Sequence, residues 1–187
     1  MAAEQLIKVK ETQKLGRNFF TENSVSVARQ SLGKLFFLNG KTWIINETEA
    51  YRQENDPACH AAKGITKRNA PMFKTGGHLY VYLIYGMYYC LNIVTENEGY
   101  GSAILIRSVL DPEAIIPDSK LSGPGKLCRE LGIDLSFNNI DLCNSNKTHL
   151  SSNNLIISQI EESCRIGISK GKDLPWRFRC ERSNLIL

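Results

Sequence analysis

Residues 78–92 read HLYVYLIYGMYYCLN, and no other stretch narrows the possible folds as much. Tyrosines alternate with apolar residues up to Ile84 before Gly86 breaks the run, which is the two-residue period of a β-strand interrupted by a turn. The stretch predicts an aromatic β-hairpin. Five of the chain's seven tyrosines lie between Tyr80 and Tyr89. A buried tyrosine must find a partner for its hydroxyl, so a plain core is built more simply from Phe, Leu or Val. A tyrosine row suits a half-wet surface on which something flat can stack. Taken alone, the row reads first as an ordinary tyrosine-rich strand pair in a sheet.

The charges around it add a second constraint. No acidic residue falls between Asp56 and Glu96, while His60, Lys63, Lys67, Arg68, Lys74 and His78 all do. Cations for phosphates beside flat rings for bases are the physical footprint of nucleic-acid binding, although a charge cluster by itself is a solvated face. The overall balance of 23 Lys and Arg against 19 Asp and Glu is too mild to decide the matter; the clustering carries it.

A chain of 187 residues fits one domain with a sizeable core, and 42% hydrophobic with 22% charged residues describes a soluble globular protein. The six cysteines, Cys59, Cys90, Cys128, Cys143, Cys164 and Cys180, are widely spaced. Without a C-x-x-C pair, and with three histidines in all, they argue against a structural zinc site and for reduced, mostly buried thiols. No apolar run has the length of a signal-peptide core or a membrane span, so a reducing intracellular compartment is expected.

In chain order, residues 1–16 are polar and aperiodic and are expected to form a loosely held leader. Ser24 is a candidate N-cap for a short helix with Val25, Ala28 and Leu32 on one face, stopped by Gly33. Asn39-Gly40 between the apolar runs 34–38 and 41–47 is the strongest short hairpin signal in the chain. The second strand leads into NETEAY, where Glu47, Glu49 and Tyr51 fall on one face if the extended conformation persists. Two carboxylates and a tyrosine there form either a catalytic edge or a solvated strand end.

The loop that follows, up to about residue 77, is long enough to be functional and has His60 at its centre. A lone histidine in such a loop reads by itself as a surface residue. Residues 102–109, SAILIRSV, predict a buried strand whose single charge, Arg107, either snorkels or meets a phosphate or carboxylate. Gly123-Pro124-Gly125-Lys126 opens a short helix closed by Gly132, and the Asn- and Ser-rich stretch 138–154 predicts surface turns. The tail from residue 164 returns to β character. With no internal repeat or linker, residues 1–187 are expected to form one α+β domain: a curved antiparallel sheet, short flanking helices and the protruding aromatic hairpin.

NETEAY, the Cys59-His60 pair, TKRNAPMF, GHLYVYLIYGMYYCLN, AILIRSV, SGPGKLC and RIGISKGKDLPWRF together resemble the alkyladenine (3-methyladenine) DNA glycosylase family, in order from about residue 18 to residue 178. The resemblance implies a single compact domain without metal or other cofactor, which inserts a tyrosine into the minor groove and flips a damaged purine into an aromatic pocket. By position, Glu49 resembles the general base for water, and Arg107 the residue that orders water and phosphate near it. Tyr51, His60 and Tyr82 resemble the walls that sandwich the flipped base, and Asn92 the residue that crowds the 2-amino group of guanine. Tyr85 resembles the intercalating wedge, with Met87 beside it. Thr66, Arg68 and Met72 lie where family members touch DNA, and Lys63, Lys67 and Lys74 are counted with them as cations of the acid-free window.

The implied partner is double-stranded DNA containing damaged purines, bound by a monomer with no membrane attachment. The implied location is the cytoplasm of a bacterial-type cell, at the nucleoid through DNA, or the nucleus of a eukaryotic one. The sequence departs from the family pattern in a shortened segment 111–122 without its basic helical stretch, in Lys67 where proline is common, and in the tail after Phe178.

The chemistry suits these residue types. Breaking an N-glycosidic bond develops oxocarbenium character on the sugar, and a nearby carboxylate stabilises that charge and takes a proton from attacking water. An alkylated purine is already a good leaving group, so Glu49 alone suffices and Glu47 is left for structure. No motif singles out a nucleophilic lysine, so water attack without strand cleavage is expected. Two rivals remain at this level. One is a hydrolase of free glycosides using Glu47 and Glu49 as a pair, although two residues on one strand face cannot flank a bond from opposite sides. The other is a non-catalytic single-strand binder with the tyrosines as its platform.

Overall fold

The computed structural model describes residues 7–186. Asn39 and Gly40 both adopt positive φ, 48° and 86°, as a two-residue type I′ connection requires. They join β2 (Leu35–Leu38) to β3 (Lys41–Arg52), with Leu38 paired to Lys41 across the turn. Strand β3 is longer than its apolar run alone predicts. It continues through NETEAY because its far half is paired on both edges, with β6 (Ser102–Leu110) on one side and β10 (Arg177–Arg179) on the other.

The remaining strands are β1 (Glu11–Lys14), β4 (Leu79–Ile84), β5 (Tyr88–Val94), β7 (Thr148–Asn153), β8 (Ile156–Ile157), β9 (Glu161–Ser163) and β11 (Leu185–Ile186). Nine of the eleven described strands form one antiparallel sheet in the order β1-β7-β2-β3-β6-β5-β4, which branches at β3 to take in β10 and β9; β8 and β11 pair separately. Helices α1 (Arg17–Phe20), α2 (Ser24–Ser31) and α3 (Pro124–Glu130) pack around this open sheet, completing the single α+β domain.

The core gathers Phe20, Val27 and Ala28 from the helices with Phe36, Ile45, Leu91, Ile93, Ile104 and Ile106 from the strands. A smaller cluster of Cys59, Ala61, Met72, Tyr80, Val94 and Ala103 lies under the aromatic hairpin. Helix α3 lies tightly on β5, since a Cβ at Gly125 would stand 3.0 Å from the Tyr88 side chain.

Three local expectations change. The cap of α2 is Asn23, whose side chain accepts from the Val25 amide at 2.9 Å, and not Ser24, which is fully buried. Of the predicted leader, residues 1–6 lie outside the described residues, while Glu11–Lys14 is strand β1, paired with β7. It escaped the periodicity argument because an exposed edge strand needs only backbone partners. Within the predicted turns, Thr148–Asn153 is an interior strand between β1 and β2. Its Thr148, Leu150 and Ser151 are buried, so neighbouring strands override a polar composition.

Candidate active site

Strand β3 delivers Glu47, Glu49 and Tyr51 to one side, as the alternation predicts, but none of them is a solvated strand end. Glu49 is 0% exposed and Glu47 6%. Three donors converge on Glu49: the Tyr51 hydroxyl at 2.8 Å from Oε2, the Ile166 amide at 2.8 Å from Oε1, and Arg107 Nη1 at 3.2 Å from Oε1. Such charge-assisted bonds are the means by which a buried carboxylate is tolerated. Arg107 does not snorkel to solvent; its Nε also donates to Glu47 Oε1 at 2.9 Å. The β3–β6 ladder slips locally at Glu47 and resumes its register at Thr48↔Ile106, so Arg107 sits in the irregularity beside Glu47.

In front of Glu49 opens a cavity of about 350 Å³, lined by Tyr51, His60, Tyr80, Tyr82, Asn92 and Arg107 among others. That volume falls within the roughly 300–1,000 Å³ of small-molecule sites. Glu49 lies just behind the lining and is touched by three of its members, Tyr51, Arg107 and Ile166. His60 and Tyr82 stand 4.7 Å apart, centroid to centroid, with their rings inclined by 66°. A flat ring held between two others needs roughly 7 Å, twice a carbon contact distance. No base therefore fits between His60 and Tyr82, which act together as one wall, with Tyr51 elsewhere in the lining.

His60 Nδ1 lies 3.0 Å from the Tyr80 hydroxyl. Burial, assisted by Arg68, lowers the His60 pKa below its ordinary 6.5, which leaves a neutral imidazole near pH 7. Burial pushes the Tyr80 hydroxyl up to about 12. It also raises Tyr51, with the Glu49 carboxylate adding to the effect, so the Tyr51 hydroxyl remains a donor. Asn92 is buried, and its Nδ2 donates to the Tyr80 and Cys90 carbonyls at 3.0 and 3.3 Å, leaving Oδ1 out of both bonds.

Several residues that hold this arrangement were not singled out by sequence. Arg165 is bidentate on Asp56, with both contacts 2.6 Å, and its guanidinium lies 4.6 Å from the Tyr51 ring centroid, behind a cavity wall. Asn69, 3% exposed, accepts from the Thr66 amide and donates to the carbonyls of His60 and Gly64, which folds the long loop around one side chain. Arg177 Nε donates to Glu47 Oε1 at 2.7 Å. Ile166, Gly167 and Ile168 complete one side of the cavity. Each depends on contacts across more than a hundred residues or on a loop conformation, and their places within TKRNAPMF and RIGISKGKDLPWRF were the local hints.

At the hairpin tip, Tyr85 is 85% and Met87 67% exposed. Tyr85 and Gly86 both adopt positive φ, 51° and 69°, which is uncommon for tyrosine and thrusts its ring outward. Thr66, Lys63, Lys67, Arg68 and Lys74 are all exposed. Arg68 is nonetheless engaged: its Nη2 donates to the Leu83 carbonyl at 3.1 Å, and its guanidinium lies 5.4 Å from the Tyr82 centroid. Met72, in the stretch expected to touch DNA, is unlike the exposed Thr66 and Arg68. It is 2% exposed and lines the cavity, because its short 3₁₀ turn faces the small core cluster. Among the described residues, no group of three or more His, Cys, Asp or Glu side chains is placed to hold a metal ion.

The model of the methylpurine-DNA glycosylase family matches residues 18–184, and every residue of the site lies inside that span. The chain belongs to this family. A Rickettsia felis protein carrying the provisional name 3-methyladenine DNA glycosylase is 49% identical over 166 residues, covering 88% of this chain and 91% of that protein. A Rickettsia conorii protein of the same provisional name is 49% identical over 163 residues, 87% of each chain. One from Ehrlichia ruminantium is 46% identical over 164 residues, 88% of this chain and 87% of its own. The match confirms the family resemblance of the motifs, and its span takes in β10 and the segment 165–168, which complete the cavity and its buried carboxylates.

Proposed function

We propose that this protein is a monofunctional DNA glycosylase that flips alkylated or deaminated purines out of duplex DNA and hydrolyses their N-glycosidic bond, starting base excision repair. The observation that carries the reading is Glu49, a fully buried carboxylate held by Tyr51, Arg107 and the Ile166 amide directly behind an aromatic cavity. A base in a duplex is out of reach of any side chain, so the nucleotide leaves the stack at a cost of a few kcal/mol that damaged pairs reduce. The exposed Tyr85 fills the gap from the minor groove. The flipped base stacks on Tyr51 at one side and on the His60–Tyr82 wall at the other, recovering about 1–3 kcal/mol per good contact. A 3- or 7-alkylated purine carries positive charge, which tyrosine faces favour and a neutral His60 does not oppose.

In the chemical step the bond from C1′ to the purine nitrogen breaks, and its electron pair leaves with the base. Water oxygen bonds to C1′ and gives its proton to Glu49. Arg107, which contacts Glu49 and lines the cavity, holds the water and the flanking phosphate. Among the described residues no lysine lines the cavity, in keeping with water as nucleophile and an uncut strand. The test is incubation with duplex oligonucleotides bearing hypoxanthine, ethenoadenine or a 3-methyladenine analogue, followed by alkali to reveal abasic sites. Alkali-dependent cleavage at the lesion is expected. Tight lesion binding with no abasic sites formed would leave a binding module in its place.

A further inference from the structure

The row of charges at Glu49 runs further from the cavity than the excision chemistry accounts for. Glu47 Oε1 accepts from two Nε atoms, Arg107 at 2.9 Å and Arg177 at 2.7 Å. Arg107 then reaches Glu49 with Nη1 at 3.2 Å. Arg177 is placed by β10, where it pairs opposite Glu49 in the ladder, and its Nη1 donates to Ser163 Oγ of β9 at 3.2 Å. Cations and carboxylates therefore alternate as Arg177, Glu47, Arg107, Glu49, a formally neutral row. All four side chains are mostly buried, with 15%, 8%, 12% and 0% of each exposed. Of the four, only Arg107 lines the cavity.

We propose that Glu47, clamped by Arg177, is a positioning residue for glycosidic hydrolysis: it fixes the Arg107 guanidinium so that a single Nη meets Glu49. A guanidinium is a planar fork of five donors, and one bond at Nε sets the plane in which the others point. Freed from Glu47, Arg107 has a better geometry available to it, the parallel two-bond fork on the Glu49 carboxylate. That fork would occupy lone pairs that water needs when it hands over its proton. It would also withdraw Arg107 from the cavity. The branching of the sheet at β3 gives this arrangement a structural reason, since β10 brings Arg177 to the edge of β3 opposite the one from which β6 brings Arg107.

The inference rests on Glu49 being the base, so its test carries both roles separately. Single-turnover excision and lesion-duplex affinity are measured for the parent and for Glu49→Gln, Glu47→Gln, Arg107→Gln and the double variant Glu47→Gln/Arg107→Gln. Glu47→Gln is expected to slow excision by about 10-fold while affinity stays within about 2-fold, because Glu47 is outside the cavity lining. In the Arg107→Gln background the same substitution is expected to change the rate by less than about 2-fold, since a residue acting only through Arg107 has nothing left to position. Arg177→Gln, one step further out, repeats the measurement if Glu47→Gln does not fold, with a rate loss of about 10-fold at unchanged affinity again expected. A folded Glu47→Gln or Arg177→Gln that excises at the parental rate overturns the inference. A full additional loss in the Arg107→Gln background overturns it too. Either result beside an inactive Glu49→Gln leaves the glycosylase reading standing, whereas normal excision by Glu49→Gln removes that reading itself.

Discussion

The Arg165 guanidinium meets the Asp56 carboxylate through two contacts of 2.6 Å, with both side chains sealed from solvent. The pair ties two loops of the cavity together. Asp56 also accepts from the Arg52 and Ala58 amides at the start of the His60 loop, while Ile166, next to Arg165, donates to Glu49. Arg165→Leu leaves a buried carboxylate without its partner, a change that typically costs about 3–5 kcal/mol. Urea denaturation should show that loss. A midpoint unchanged from the parent would mean the loops are held by something else.

Glu49→Gln keeps shape and hydrogen-bonding atoms but removes charge and basicity. Single-turnover excision should fall by at least about 10²-fold, the usual scale for a general base, while lesion-duplex affinity stays within a small factor. Rate and affinity measured on the same protein preparation separate the two effects. A variant that excises normally places the proton acceptor elsewhere.

Tyr85 projects from the hairpin tip with 85% of its surface exposed, so it contributes little to the stability of the free protein. Tyr85→Ala should weaken lesion binding and slow excision with an almost unchanged melting temperature. The opposite pattern, a large drop in melting temperature beside normal excision, would make the residue structural.

Lys63, Lys67 and Lys74 are exposed along the acid-free window, whereas Arg68 is tied to the Leu83 carbonyl. Neutralising a lysine that contacts a phosphate should lower the slope of log affinity against log salt by roughly one. Arg68→Gln should act mainly on the hairpin and leave that slope closer to the parent's. Parental slopes in all three lysine variants would move the phosphate grip to another surface.

Asn92 lines the cavity with its amide fixed by two backbone carbonyls. Replacement by serine removes bulk at that wall, and Asn92→Ser should broaden excision toward guanine derivatives. Competition between lesion and undamaged duplexes reads the effect directly. Identical substrate profiles for the two proteins would sink the assignment.

Much of this site was legible because its signals are local. The Asn39-Gly40 turn, the Tyr85-Gly86 tip and the one-sided Glu47, Glu49, Tyr51 set each follow from a few consecutive residues and the period of a strand. Arg107 announced itself as a lone charge in an apolar run. Asn69, Arg165 and Arg177 lay inside quoted motifs, but their roles were hidden for the opposite reason: an asparagine in a polar loop and arginines in a basic tail look like any others until the chain returns to β3. Strand β7 was hidden likewise, because THLSSN owes its extended conformation to β1 and β2 on its flanks.

The two residues that turn β2 into β3 lie far from the cavity, yet the strand they open bears on its content through parity. Alternate residues of a strand face opposite ways, so the register of β3 sets which members of NETEAY look toward Arg107. Surface turns ordinarily accept insertions with little harm. A residue added within the bend is absorbed as a longer loop, since hairpin loops of about three to five residues also join antiparallel strands. A residue added inside β3 ahead of Glu47 has no such outlet: it is either expelled as a bulge or turns Glu47, Glu49 and Tyr51 away from the cavity. Tolerance to length change thus ends where the exposed bend gives way to paired backbone.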